Sequence, residues 1–148
     1  VSVDRDCHHR TPNRAQLREV ASLLATEVWI ERVSVFPANR PESIVVFLVD
    51  RHYPQKFVSE AYIEVQSYTN GDFHVVYVED HHGTKWTCRW DRHESDDYAR
   101  DHFHAPPGAR HEDGEDRDYP VELASVLSRT VAPWVYERMG AVWDEFDL

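Results

Sequence analysis

Between residues 28 and 91 the chain repeats one pattern five times, and that pattern leaves few folds open. The runs "VWIERVSVF" (28–36), "SIVVFLVD" (43–50), "SEAYIEVQSYT" (59–69), "FHVVYVED" (73–80) and "TKWTCRWD" (84–91) are rich in β-branched and aromatic residues at a period near two. Between them stand "PANRPE", "DRHYPQK", "NGD" and "DHHG", all short and made of turn-forming residues. A parallel pair would need a crossover of roughly a dozen residues or more, so neighbouring strands must run antiparallel. The expectation is a meander of about five strands with one apolar face.

A different period flanks this block on both sides. In "TPNRAQLREVASLLATEV" (11–28), Leu17, Val20, Ala21 and Leu24 fall on one helical face, with Thr11 as a candidate cap and Pro12 suited to the first turn. In "YPVELASVLSRTVAPWVYERMG" (119–140), Leu123, Val126, Leu127, Val131, Trp134 and Val135 form a second apolar stripe, with Asp118 as its candidate cap. Pro133 should kink or split that helix, because proline lacks the N–H and its ring collides with the preceding turn. Helices packed on one face of a curved sheet bury both sets of apolar side chains. The predicted fold class is therefore α+β, a curved antiparallel β-meander with an N-terminal and a C-terminal helix on one face. With 148 residues the expectation is one domain, residues 11–148, behind a flexible tail, residues 1–10.

Charge narrows the class further. The chain carries 27 acids against 16 bases, a formal charge of −11, and only Lys56 and Lys85 are lysines. Such a balance suits an acidic, salt-tolerant proteome and disfavours a broad basic surface for nucleic acid, so any RNA must be gripped locally. No apolar run approaches the roughly 18 residues needed to cross a bilayer, and "VSVDRDCHHR" has no hydrophobic leader segment; a cytoplasmic protein without a membrane partner is expected. Cys7 and Cys88 form no CxxC pair, which points to reduced thiols.

The last of the five runs carries the candidate chemistry. If alternation holds through "KWTCRWDRH", then Trp86, Cys88 and Trp90 share the core face while Arg89, Asp91 and His93 project together from the other. A carboxylate beside an imidazole fixes its tautomer and raises its basicity, and a guanidinium two residues away supplies a clamp for a phosphate or developing oxyanion. After Asp91 follows a stretch without clear period, expected as a long loop, in which "DHFH" places His102 and His104 on one side of any extended segment. Catalytic candidates are Arg89, Asp91, His93, His102 and His104. The bland alternative for Arg89 and Asp91 is a surface ion pair.

Histidines so spaced also suit a divalent metal, with His102, His104 and His111 as candidate ligands, although no HExxH or CxxC pattern is present. No other cofactor is indicated. Residues 91–118 hold ten acids and four arginines, a charge of −6, which reads mainly as a solvated face. The remaining histidines need no function: His8 and His9 cluster with Cys7 in the tail, and His52, His74, His81 and His82 fall on turns or within a strand.

The succession of meander, "CRWDRH", "DHFH" and closing helix resembles the TumE-type toxin family of prokaryotic toxin-antitoxin systems, over roughly residues 27–139. Arg89 and Asp91 match the family's strand-end motif, and His102 and His104 stand for its downstream histidine cluster. Arg92 occupies the place where an asparagine is expected. The resemblance implies a toxin that restrains growth, a cognate antitoxin partner, and RNA or a nucleotide as target. The competing reading from the residues alone is a non-enzymatic metal- or partner-binding α+β module.

Overall fold

The computed structural model describes residues 10–146, so the predicted tail, apart from Arg10, lies outside the described residues. Helix α1 (Arg14–Leu24) buries Leu17, Val20, Ala21 and Leu24, the expected stripe. Its cap is Asn13, whose side chain accepts from Gln16 N at 3.1 Å, rather than Thr11. Thr11 and Pro12 are used otherwise. Thr11 O accepts from Thr69 N at 2.8 Å and Pro12 bridges Tyr68, which ties the chain entering the helix to a sheet hairpin.

Seven strands follow, not five: β1 (Ile30–Phe36), β2 (Ser43–Leu48), β3 (Glu60–Ser67), β4 (Phe73–His81), β5 (Thr84–Arg92), β6 (Asp101–His104) and β7 (Gly114–Asp116). They form one sheet in chain order, and every neighbouring pair is antiparallel. The two additional strands arise inside the stretch expected as loop. Each is too short and polar to show a period; β6 is recruited by pairing with β5, and β7 by pairing with β6, rather than by their own composition.

Alternation sorts the side chains as the strand pattern predicts. Ile44, Val46, Ile63, Val65, Val75, Tyr77, Cys88, Trp90 and Phe103 share one buried cluster with the apolar residues of α1 and of the C-terminal helix. Each fully buried aliphatic side chain there contributes about 1.5–3 kcal/mol of transfer free energy. The α-helices among the described residues pack on this core side, not on the opposite face. The opposite face carries the candidate chemistry.

The C-terminal helix starts later than expected. Asp118 and Pro120 belong to the approach, and the helix begins as α2 (Leu123–Val126), continues through a π-helical turn (Leu127–Val131) and runs on as α3 (Ala132–Phe146). The break forecast at Pro133 takes the form of that wider turn. Proline needs room around the carbonyl four residues earlier, which belongs to Arg129, inside the π turn. Helix α3 is fastened to the sheet by a buried ion pair: Arg138 Nε and Nη2 donate to the two oxygens of Glu79 at 2.6 and 2.7 Å. Tyr77 Oη donates to the same carboxylate at 2.6 Å. Burial alone would raise the Glu79 pKa, but the bonds from Arg138, Tyr77 and His81 override it and hold the group below its ordinary value.

One turn fixes the register on which the site depends. His82 (φ 52°) and Gly83 (φ 108°) both take positive φ, the geometry of a two-residue hairpin of type I′, and Asp80 Oδ1 accepts from Gly83 N at 2.6 Å. His81 therefore faces Thr84, and the ladder carries that register back to His74 opposite Asp91. A slip of one residue would send Asp91 into the core.

Candidate active site

Asp91 sits on the sheet face opposite the α-helices, between His74 of β4 and His102 of β6 in the cross-strand register. Arg89, one step along the same face of β5, lies opposite His104. His93 extends the row past the end of β5, since its backbone N–H still reaches Arg100 O at 3.0 Å. Five side chains thus converge on one carboxylate because four β-strand positions and one continuation point the same way.

The distances make a tight cluster. Asp91 Oδ1 accepts from His74 Nδ1 at 2.8 Å, and Asp91 Oδ2 accepts from Arg89 Nε at 2.7 Å. The Nε2 atoms of His93, His102 and His104 lie 3.6, 3.6 and 3.4 Å from Asp91 Oδ2. Asp91, His102 and His104 have side chains only 0, 1 and 2 % exposed, whereas His93 and Arg89 are 29 and 35 % exposed. The cluster therefore has a sealed floor and an open mouth.

Electrostatics follows from that arrangement. Burial would raise the Asp91 carboxyl, yet the surrounding imidazoles of His102, His74 and His93 pull it far below the usual carboxylate range. The Asp91 carboxylate in turn raises His93 above an ordinary histidine. His104 moves the other way, lowered first by desolvation and then by the Arg89 charge. Neighbouring imidazoles thus meet different environments within a few ångströms.

Tyr98 closes the floor. Its ring stacks on His102, with centroids 5.7 Å apart, and stands edge-on to His104 at 5.9 Å, while its hydroxyl donates to His111 O at 2.6 Å. Tyr119 reaches the backbone carbonyl of His102 from below. Arg92, where the family resemblance expects asparagine, faces away and holds the approach to α2: it pairs with Asp101 at 2.6 Å and donates to Pro120 O at 2.9 Å and Val121 O at 3.0 Å.

All five residues expected on chemical grounds, Arg89, Asp91, His93, His102 and His104, therefore meet. His111 does not join them. Its ring lies 6.2 Å from that of His104, but it stands 65 % exposed with Nε2 2.6 Å from Asp97, and it is not part of the ligand-atom groups gathered around Asp91. The sequence reading passed over His74, whose Nε2 accepts from Arg10 Nη1 at 3.1 Å while Nδ1 serves Asp91. A signal for it existed in the "DHHG" turn, from which equal counting along both strands leads to His74 and Asp91. Tyr98 carried no such signal, because it comes from the irregular segment between β5 and β6.

The architecture defines a small α+β protein with a buried carboxylate-histidine centre on the face of an antiparallel sheet opposite its α-helices. The family model described as Toxin TumE matches residues 20–139, most of the chain and every residue of the cluster. The chain belongs to the TumE toxin family. No curated protein and no solved structure matches it. Among the described residues no helix is long and apolar enough to cross a membrane.

Proposed function

We propose that this toxin arrests growth by processing a phosphodiester or nucleotide target, with RNA as the leading substrate class, at the mouth formed by Arg89 and His93. The observation that carries the reading is the graded exposure of the cluster: a guanidinium and an imidazole reach solvent directly above a buried carboxylate that orients both. Arg89 then neutralises a phosphoryl oxygen, His93 takes or delivers the proton, and Asp91 holds both in place. Family membership implies a cognate antitoxin, which would have to block or distort this mouth.

Inducible expression of the wild-type chain and of Arg89→Ala, His93→Ala and Asp91→Asn, each with and without the adjacent gene's product, tests the proposal. Growth arrest by wild type, relieved by the neighbour and lost in all three variants at equal soluble level, is the expected result. Total RNA and nucleotide pools sampled after induction identify the substrate class. Arrest that persists in both Arg89→Ala and His93→Ala would overturn the site assignment.

A further inference from the structure

The Asp91 cluster holds more inward-facing acceptors than protons to serve them. His102 Nδ1 lies 2.8 Å from Ala99 O, His104 Nδ1 3.1 Å from Arg110 O, and His93 Nδ1 2.7 Å from Glu94 O. A carbonyl oxygen only accepts, so each Nδ1 carries the ring N–H, and each neutral ring turns an Nε2 lone pair inward. Those lone pairs face Asp91 Oδ2, which is itself an acceptor. Arg89 already balances the Asp91 charge, and His74 already supplies a proton to Oδ1. Protonating His102 and His104 as well would bury two more cations where almost no water reaches, at a large desolvation cost. A single cation between the lone pairs removes the conflict.

We propose that Asp91 Oδ2, His102 Nε2 and His104 Nε2 bind a divalent transition-metal ion, with zinc the best chemical fit and an open coordination position on the side of His93. The ligand atoms of this trio lie within 4.8 Å of one another. A tetrahedral zinc with bonds of about 2.0–2.1 Å has ligand–ligand edges of about 3.3 Å. The 3.4 and 3.6 Å separations from Asp91 Oδ2 are close to that value. Donation of Nδ1–H to a backbone carbonyl is how metal-binding histidines are held in the required tautomer. Two imidazoles and one carboxylate suit zinc or a similar borderline ion better than calcium or magnesium, which prefer oxygen. Three protein ligands leave a position for water or a phosphoryl oxygen, unlike the closed four-ligand set of a structural site.

The other histidine grouping around Asp91, with His74 and His93, is a poorer set. Both ring nitrogens of His74 are committed, one accepting from Arg10 and the other donating to Asp91. Cys88, the cysteine among the described residues, is buried in the core on the far face of β5 and supplies no thiolate to the centre. The proposal concerns the cluster used by the proposed toxin chemistry but stands on ligand geometry alone.

The test uses the full chain, purified, stripped with a chelator and titrated with zinc by calorimetry. The expected result is one high-affinity zinc per chain, a thermal midpoint that rises with zinc, and a loss of affinity of at least tenfold in His102→Gln and in His104→Gln. His111→Ala should bind as wild type does, and so should Cys7→Ser/His8→Ala/His9→Ala, which removes the other cluster of potential ligands. If the glutamine variants do not fold, cobalt(II) bound to the wild type supplies the answer, because nitrogen and oxygen ligands give visible ligand-field bands without a thiolate charge-transfer band. No stoichiometric binding by wild type, a thiolate band, or loss of binding in the tail variant would each overturn the proposal. None of these readouts depends on growth arrest, so failure of the metal site and failure of the toxin chemistry remain distinguishable.

Discussion

Removing the Glu79 carboxylate should be the most damaging single change outside the cluster. Glu79 is fully buried, and it receives Arg138 twice, Tyr77 once and His81 Nε2 at 2.9 Å. In Glu79→Ala the Arg138 side chain, only 9 % exposed, keeps its charge and loses its main counter-ion. The surface carboxylate of Glu145, 3.0 Å from Nη1, compensates only in part. Stranding one member of a buried pair costs about 3–5 kcal/mol. For a chain of this size each kcal/mol moves the thermal midpoint by about 2–4 °C, so the drop should be roughly 6–20 °C. Urea unfolding followed by tryptophan fluorescence is well suited as an assay, because Trp86 and Trp134 pack beside this pair. Replacing both partners by apolar residues, Glu79→Leu/Arg138→Met, should recover much of the loss, since neither charge is then stranded. A cost below about 1 kcal/mol for Glu79→Ala, against the 3–5 kcal/mol expected for a buried pair, would refute the view that this pair holds α3 to the sheet.

The same group predicts an acid limb. Because the folded Glu79 pKa lies below its ordinary value, its contribution is complete above the usual carboxylate range and is lost as pH falls below about 4.3, so urea midpoints should fall more steeply with acidification in wild type than in Glu79→Gln. At Gly114 an added Cβ would run into the Tyr98 ring. Gly114→Ala should therefore cost about 1–3 kcal/mol by overpacking and weaken growth arrest by displacing the ring from His102; Gly114→Ala/Tyr98→Ala should relieve the clash without restoring arrest. Asn13→Ala should cost about 1 kcal/mol in thermal unfolding through loss of the α1 cap while leaving growth arrest intact.

How far the sequence reveals this protein depends on whether neighbours along the chain are also neighbours in space. Strands β1–β5 and both apolar helix stripes announce themselves because each buries one face, and burial imposes a period. The side chains of Arg89, Asp91 and His93 follow from alternation once Trp86, Cys88 and Trp90 are assigned to the core. His102 and His104 are visible as a pair, but their meeting with Asp91 is not, because it depends on β6 pairing beside β5 across the irregular residues 93–100. Strand β7 has three residues, Gly114–Asp116, and its pairing with β6 has no signature in composition. The cap at Asn13 was misplaced to Thr11 because nothing local shows that Thr11 and Pro12 are needed by the hairpin at Tyr68. His111 looked like a ligand on spacing alone; its ring comes to 6.2 Å from that of His104, but its Nε2 is turned to Asp97.

The pairing of β6 with β5 also sets when, during synthesis, the cluster around Asp91 is completed. A chain that has emerged only as far as Arg92 already possesses the carboxylate and the guanidinium, yet its imidazole partners His102 and His104 are still to come. On the proposed site assignment, products of premature stop codons upstream of Asp101 lack two of the imidazoles around Asp91 and should cause no growth arrest.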